Sequence, residues 1–132
     1  VEVKFSNELE FKASLAKFAD KLPEEHLLPL QKMVVAEVAE GCIEGTPVDQ
    51  GRARGGWQIE FNRQVSGETG KLDKEGGATK AAIDAGMLRM RPFDLTYLGN
   101  DVPYIVPLEE GHSGQNRGWV KATVAAVNAK FR

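Results

Sequence analysis

Three short runs carry residues of the types that catalytic or ion-binding sites use. Gly67-Glu68-Thr69-Gly70-Lys71-Leu72 has the glycines and lysine with which a loop cradles phosphate. Val65 stands where the first glycine of such a loop belongs, and Leu72 where a Ser or Thr would hold Mg²⁺, so a plain glycine-rich loop is the better reading. Gly111-His112-Ser113-Gly114-Gln115 approximates the sharp turn that exposes a nucleophilic serine. Gln115 replaces its last glycine, no histidine follows His112 to act as base, and Glu109-Glu110 precedes it instead of a buried strand. Glu109, Glu110 and His112, with Asp49 or Asp101, would suit a divalent cation in an oxygen-rich site of a small metal-assisted hydrolase. The simpler alternative gives His112 a hydrogen bond across the glycine turn. One glutamate then caps or pairs with Arg52 or Arg54 while the other faces water. No cofactor is implied by any of these runs.

The elements that would position these residues follow from hydrophobic period. Val1, Val3 and Phe5 alternate with polar residues as in a short strand. Phe11, Leu15, Phe18 and Leu22 recur at helical spacing, with Asn7 and Glu10 offering a capping box, so a first helix is expected over Glu8–Lys21. Pro23 stops it and can begin the next. Leu27, Leu30, Val34 and Val38, widened by Val35, Ala39 and Cys42, predict a long helix ending near Gly41–Gly45. Pro29 implies either a kink or a later start at Leu28–Pro29. The loop Thr46–Gly56 leads into a strand in which Trp57, Ile59 and Phe61 face inward.

From Ser66 to Lys80 the chain is rich in glycine and charge without an apolar period, which predicts a mobile loop or hairpin tip. Ala81, Ala82, Ala85 and Leu88 suggest a short helix ended by Pro92. Leu95, Tyr97 and Gly99 outline a second strand. Val102–Leu108 carries Pro103 and Pro107, which lack the N–H of a central ladder, so an edge strand or extended segment is expected there. Val120, Val124, Val127 and Phe131 mark a closing helix. The sum is one α+β domain over residues 1–132, a small antiparallel sheet packed with a long helix in the N-terminal half and a C-terminal helix.

Composition bounds the function. The apolar stretches are too short and too interrupted to span a bilayer, and Glu2, Glu8 and Glu10 stand where a signal peptide would be basic and then apolar. The chain is therefore expected to act where it is made or within an assembly, away from membranes. One cysteine, Cys42, permits no internal disulfide and reads as a buried thiol. A formal charge of −2 gives no broad electrostatic footprint for DNA, although residues 46–92 hold eight basic and six acidic side chains.

Two segments carry more information. Thr46-Pro47-Val48-Asp49-Gln50-Gly51, followed by Arg52-Ala53-Arg54-Gly55-Gly56-Trp57, is one. The other is Asn100-Asp101-Val102-Pro103-Tyr104, continued by Glu109-Glu110-Gly111-His112-Ser113 and the helix start Gly118-Trp119-Val120. In content, order and separation they resemble the HK97 gp10-like family of tailed-bacteriophage neck and tail-completion proteins, over Leu27 to Phe131. Gln50 stands where that family usually has threonine, Ala53 where it has a larger apolar residue, and Asn116-Arg117 where alanine-proline is commoner.

The resemblance implies a virion structural protein of the head-tail connection, joining the DNA-filled capsid to the tail as a ring subunit, with no catalytic residues. Its partners would be other copies of itself in a homo-oligomeric ring, other connector and tail proteins, and passing double-stranded DNA held without sequence-specific binding. The same reasoning is compatible with a monomer in isolation, since ring closure often waits for a template. Weak attraction to DNA suits such a role, because many Lys or Arg contacts to phosphate oppose sliding. The alternative is a DNA-binding accessory factor of phage morphogenesis using Arg52, Arg54, Arg63 and the lysines of the mobile loop.

Physical reading of the same residues gives them shape. Pro47 and Gly51 bracket a tight turn in which Asp49 accepts backbone N–H bonds, delivering the chain into the Trp57 strand. Pro103 and Tyr104 fix an extended path, with Tyr104 burying its ring and directing its hydroxyl to Glu109, and Gly111 lets the chain reverse beside His112. The two corners are expected to pack together and to form part of a head-to-tail contact between subunits.

Overall fold

The computed structural model describes residues 3–4, 24–111 and 114–130, with side chains from His26 onward. Strand β1 (Val3–Lys4) is followed by helix α1 (Glu24–Gly45), strand β2 (Trp57–Phe61), helix α2 (Gly77–Gly86), strand β3 (Thr96–Asn100), the short helix α3 (Ile105–Glu109) and helix α4 (Trp119–Lys130). The sheet order is β1-β3-β2. β2 and β3 are antiparallel, with Trp57 opposite Asn100 and Phe61 opposite Thr96, while β1 joins β3 in parallel. This is the expected α+β arrangement, a small sheet packed with a long helix and a C-terminal helix that also pack on each other. The expected helix over Glu8–Lys21, together with Phe5, His112, Ser113 and Phe131, lies outside the described residues.

Helix α1 begins at Glu24 and runs through Pro29 without a later start. Proline removes a hydrogen bond only to the carbonyl four residues earlier, which here belongs to the first turn, and Pro29 itself is exposed. The stripe Leu27, Gln31, Val34, Val35, Val38, Cys42 is buried at helical spacing, and from Val34 to Cys42 it shares one core with Trp119, Val120, Val124 and Val127 of α4. Gly45 sets how closely the two helices meet, since a Cβ there would stand 2.6 Å from Trp119 Cδ1. Among the described residues no helix is long and apolar enough to cross a membrane.

Three expectations are corrected. The inward face of β3 is Thr96, Leu98 and Asn100, one residue out of step with Leu95, Tyr97 and Gly99. Two of those inward positions are polar, so the alternation that marks a strand was inverted. The segment Val102–Leu108 is no edge strand: it turns at Pro103 and enters α3, with Ile105 N–H bonded to Val102 O at 3.1 Å. Pro107 lies in the first turn of α3, where a missing N–H removes no helical bond.

The stretch 66–80 is not loop throughout, because α2 starts at Gly77. Asp73 anchors that start by accepting Gly76 N–H at 3.0 Å and both the N–H and hydroxyl of Thr79 at 2.8 and 2.7 Å. These bonds favour its ionised form and lower its pKa. The irregular part before it lies against the Thr46–Gly56 turn. Asp73 N–H bonds Gly51 O at 3.1 Å and Thr69 Oγ1 donates to Gly55 O at 2.6 Å. Gly51, at φ +89°, leaves the room: a Cβ there would stand 2.6 Å from Lys74 N.

Candidate functional site

The end of α1 is the floor of the site. Thr46 Oγ1 donates to Cys42 O at 2.5 Å and accepts Trp57 Nε1–H at 2.8 Å, while Trp119 Nε1 donates to the same Cys42 carbonyl at 3.1 Å. Both indoles are thus buried with their polar edges satisfied, which fixes β2 and α4 on the C-terminus of α1. The Cys42 thiol is wholly buried, and burial reinforced by the nearby charge of Glu109 pushes its pKa well above the ordinary value. It is a packing residue and not a nucleophile.

On this floor the two corners meet. Asn100, buried at the end of β3, donates from Nδ2 to Ala53 O at 2.7 Å and accepts Val102 N–H at 3.2 Å. The Gln115 side-chain amide closes the outer side by bonding both the N–H and the carbonyl of Val48 at 2.8 Å. Asn116 Nδ2 donates to Gly45 O at 2.9 Å. The Arg52 guanidinium lies over the Tyr104 ring, 5.5 Å from its centroid. Between the corners is a cleft of about 420 Å³ whose lining includes Pro47, Asp49, Gln50, Tyr104, Leu108 and Gln115.

The charged residues have settled roles. Arg52 grips Glu68 through Nε and a terminal nitrogen at 2.8 and 2.7 Å, and that bonding raises the arginine pKa and lowers that of the glutamate. Arg54 donates to Lys74 O at 2.6 Å and to the carbonyls of Glu44 and Thr46 at 3.0 Å. It ties the 66–76 segment to the end of α1. Arg63 pairs with Glu60 at 3.1 Å. All three arginines singled out for DNA are therefore bonded within the chain.

Glu109 is 5 % exposed, and it accepts the backbone N–H groups of Val120 and Lys121 at 3.1 and 3.2 Å. It caps α4 from outside that helix. Burial raises its pKa against the opposing pull of those N–H bonds. The expected Tyr104–Glu109 contact is not formed: Glu109 points beneath α4, whereas Tyr104 is 38 % exposed at the cleft. Asp49 accepts no backbone N–H among the described residues and stands exposed at the tip of its turn. Gly51 and Gly111 take left-handed φ of 89° and 102°, as their turns require, and Pro103 is exposed between β3 and α3. Trp57 is core, and His112 lies outside the described residues.

Gln115, Asn100, Arg54 and Glu68 are the joints whose bonds residue type and spacing had not indicated. Each bonds backbone or charge far away in sequence, and no local period marks such a partner. The outcome is a cleft with one aromatic face, aliphatic side chains, carboxamides, one free carboxylate and an arginine already neutralised. Among the described residues no three His, Cys, Asp or Glu side chains gather as a metal site would need. Comparisons with protein-family models, curated proteins and solved structures return no match.

Proposed function

We propose that this chain is a structural protein of a tailed-bacteriophage virion, a ring subunit of the head-tail connection that performs no reaction. The resemblance of its two marked segments to neck and tail-completion proteins is the starting point. The observation that carries the reading is that these segments, far apart in sequence, form the two walls of one cleft, joined by Gln115 to Val48 and by Asn100 to Ala53. Residues held this way present a shaped surface, and the carboxylate best placed for chemistry, Glu109, is committed to capping a helix.

The charge distribution suits a subunit beside passing DNA. A net charge of −2 supports weak attraction to phosphate overall, and the three arginines named for DNA are each bonded within the chain. The neighbours would be further copies of the chain and other connector and tail proteins, and the place of action the virion. Removing the gene from a phage that carries it should yield DNA-filled heads and separate tails by electron microscopy. Infectious, normally joined particles from that deletion would end the proposal. Gel shifts at low salt should show no retardation of duplex DNA; retardation that weakens steeply with added salt would favour the accessory-factor alternative.

A further inference from the structure

At the end of the sheet remote from the cleft, Phe93 is 72 % exposed although its backbone sits at φ +66°. That region is disfavoured for a residue with a bulky side chain, because Cβ crowds the neighbouring carbonyl. Gln31 holds it there. This fully buried side chain accepts Phe93 N–H at 3.1 Å and donates to Arg91 O at 3.5 Å. A buried amide thus stabilises a strained turn whose product is an aromatic ring in water. Leu88, in the turn after α2, is 81 % exposed. Between Leu88 and Phe93 the sequence has Arg89 and Arg91 and no acid. Single exposed apolar residues are ordinary, but two of them beside a strained backbone mark a surface made for contact.

Knob and cleft cannot meet within one chain. Phe93 precedes the start of β3 at Thr96, and Tyr104 follows its end at Asn100. The five residues between those ends span about 17 Å of strand. The charges are complementary: the knob carries Arg89 and Arg91 against the one carboxylate of Asp94, which is turned to Arg91 N–H and Asn62 Nδ2, and the cleft has the carboxylate of Asp49 while its own Arg52 is neutralised by Glu68. The cleft volume, about 420 Å³, accommodates an aromatic side chain, with Tyr104 and Leu108 as apolar walls.

We propose that a second copy of this chain is the occupant of the cleft, inserting Phe93, with Leu88 and the flanking arginines at the rim. This rests on the ring-subunit reading and specifies its contact. Surfaces at opposite ends of a protomer give a heterologous interface, which closes into a ring when the rotation between copies permits.

The test uses the full chain. Phe93→Gly removes the knob and relieves the backbone, because glycine adopts that φ freely, so the variant should unfold at the same temperature as the parent or higher. Sedimentation over a concentration series should show self-association weakened roughly 30-fold or more, as for an interface anchor. Separately, Phe93→Cys and Gln50→Cys chains, mixed under mild oxidation, should give a covalent dimer that neither forms alone; Cys42 is buried and does not compete.

Parent-like association of Phe93→Gly, or no mixed dimer from a chain that does self-associate, overturns the contact and leaves the ring reading standing. So does equally rapid cross-linking of Phe93→Cys with itself, which would mean a symmetric contact. Absence of any association or cross-link overturns the contact as well. In that case the deletion phenotype decides the ring reading on its own: failure of heads to join tails retains it, and normal particles remove both.

Discussion

The Gln115 side chain pairs with Val48 as a neighbouring strand would, donating to its carbonyl and accepting its N–H, both at 2.8 Å. One carboxamide therefore holds the cleft's two walls together across 67 positions of sequence. Because the bonds are exposed, water can replace them, and their loss is felt more in the shape of the cleft than in the fold. Gln115→Ala should cost about 1 kcal/mol in urea unfolding and speed amide exchange at Val48. Unchanged exchange would show that the turn holds without Gln115.

Asn100 is the inner counterpart, and its environment is dry. Replacing it with Ala leaves Val102 N–H without its acceptor and the Ala53 carbonyl with only the Gly56 N–H at 3.1 Å. A buried N–H stripped of its partner costs about 1–3 kcal/mol, to which the weakened bonding at Ala53 and the space left by the side chain add. Asn100→Ala should therefore destabilise by at least about 2 kcal/mol in chemical denaturation, well beyond the Gln115 variant. Equal effects of the two would contradict the difference in burial.

Arg54 ties three backbone carbonyls with one planar group. Arg54→Lys keeps the charge but not the fork, so it should rescue little of what Arg54→Ala loses, about 2 kcal/mol. Limited proteolysis should cut both variants first within residues 66–76. Parent-like resistance in Arg54→Lys would mean that charge alone holds the segment.

Glu109 gives the chain a pH signature. Its pKa is raised in the folded state, mainly by burial, so the folded chain binds that proton more tightly than the unfolded one. The stability this contributes is fully present below the ordinary glutamate value, about 4.3, and is lost as pH rises through the higher folded value. Urea midpoints of the parent and of Glu109→Gln, compared from pH 7 to pH 5, should shift in the parent's favour on acidification. A shift the other way would show that the α4 N–H groups, which favour the carboxylate, outweigh its desolvation.

Much of the architecture is legible in residue order because it depends on local period. The buried stripe of α1 from Leu27 to Cys42, the alternation Trp57, Ile59 across β2, and Trp119 to Val127 in α4 each bury one face, and side-chain spacing alone identifies that face. The thiol of Cys42 belongs with them, being part of the same stripe. The two corners are recognisable as turns from their prolines and glycines.

What the corners hold was decided only on folding. Asn100 faces inward because Ala53 and Val102 absorb its polar group, whereas Thr96 is buried with no hydrogen-bond partner for its hydroxyl among the described residues, and the two together reversed the apparent alternation of β3. Pro103 and Pro107 exclude a central strand yet leave turn and helix equally open, and Ile105 chose the helix by burying itself in the core. The 66–76 segment has no period because backbone carbonyls and Arg54 dock it, while Glu109 and Tyr104 separate because α4 offers the carboxylate two N–H groups. Local spacing encodes which face of an element is apolar; which distant group satisfies a buried polar one is fixed only when the chain closes and water is excluded.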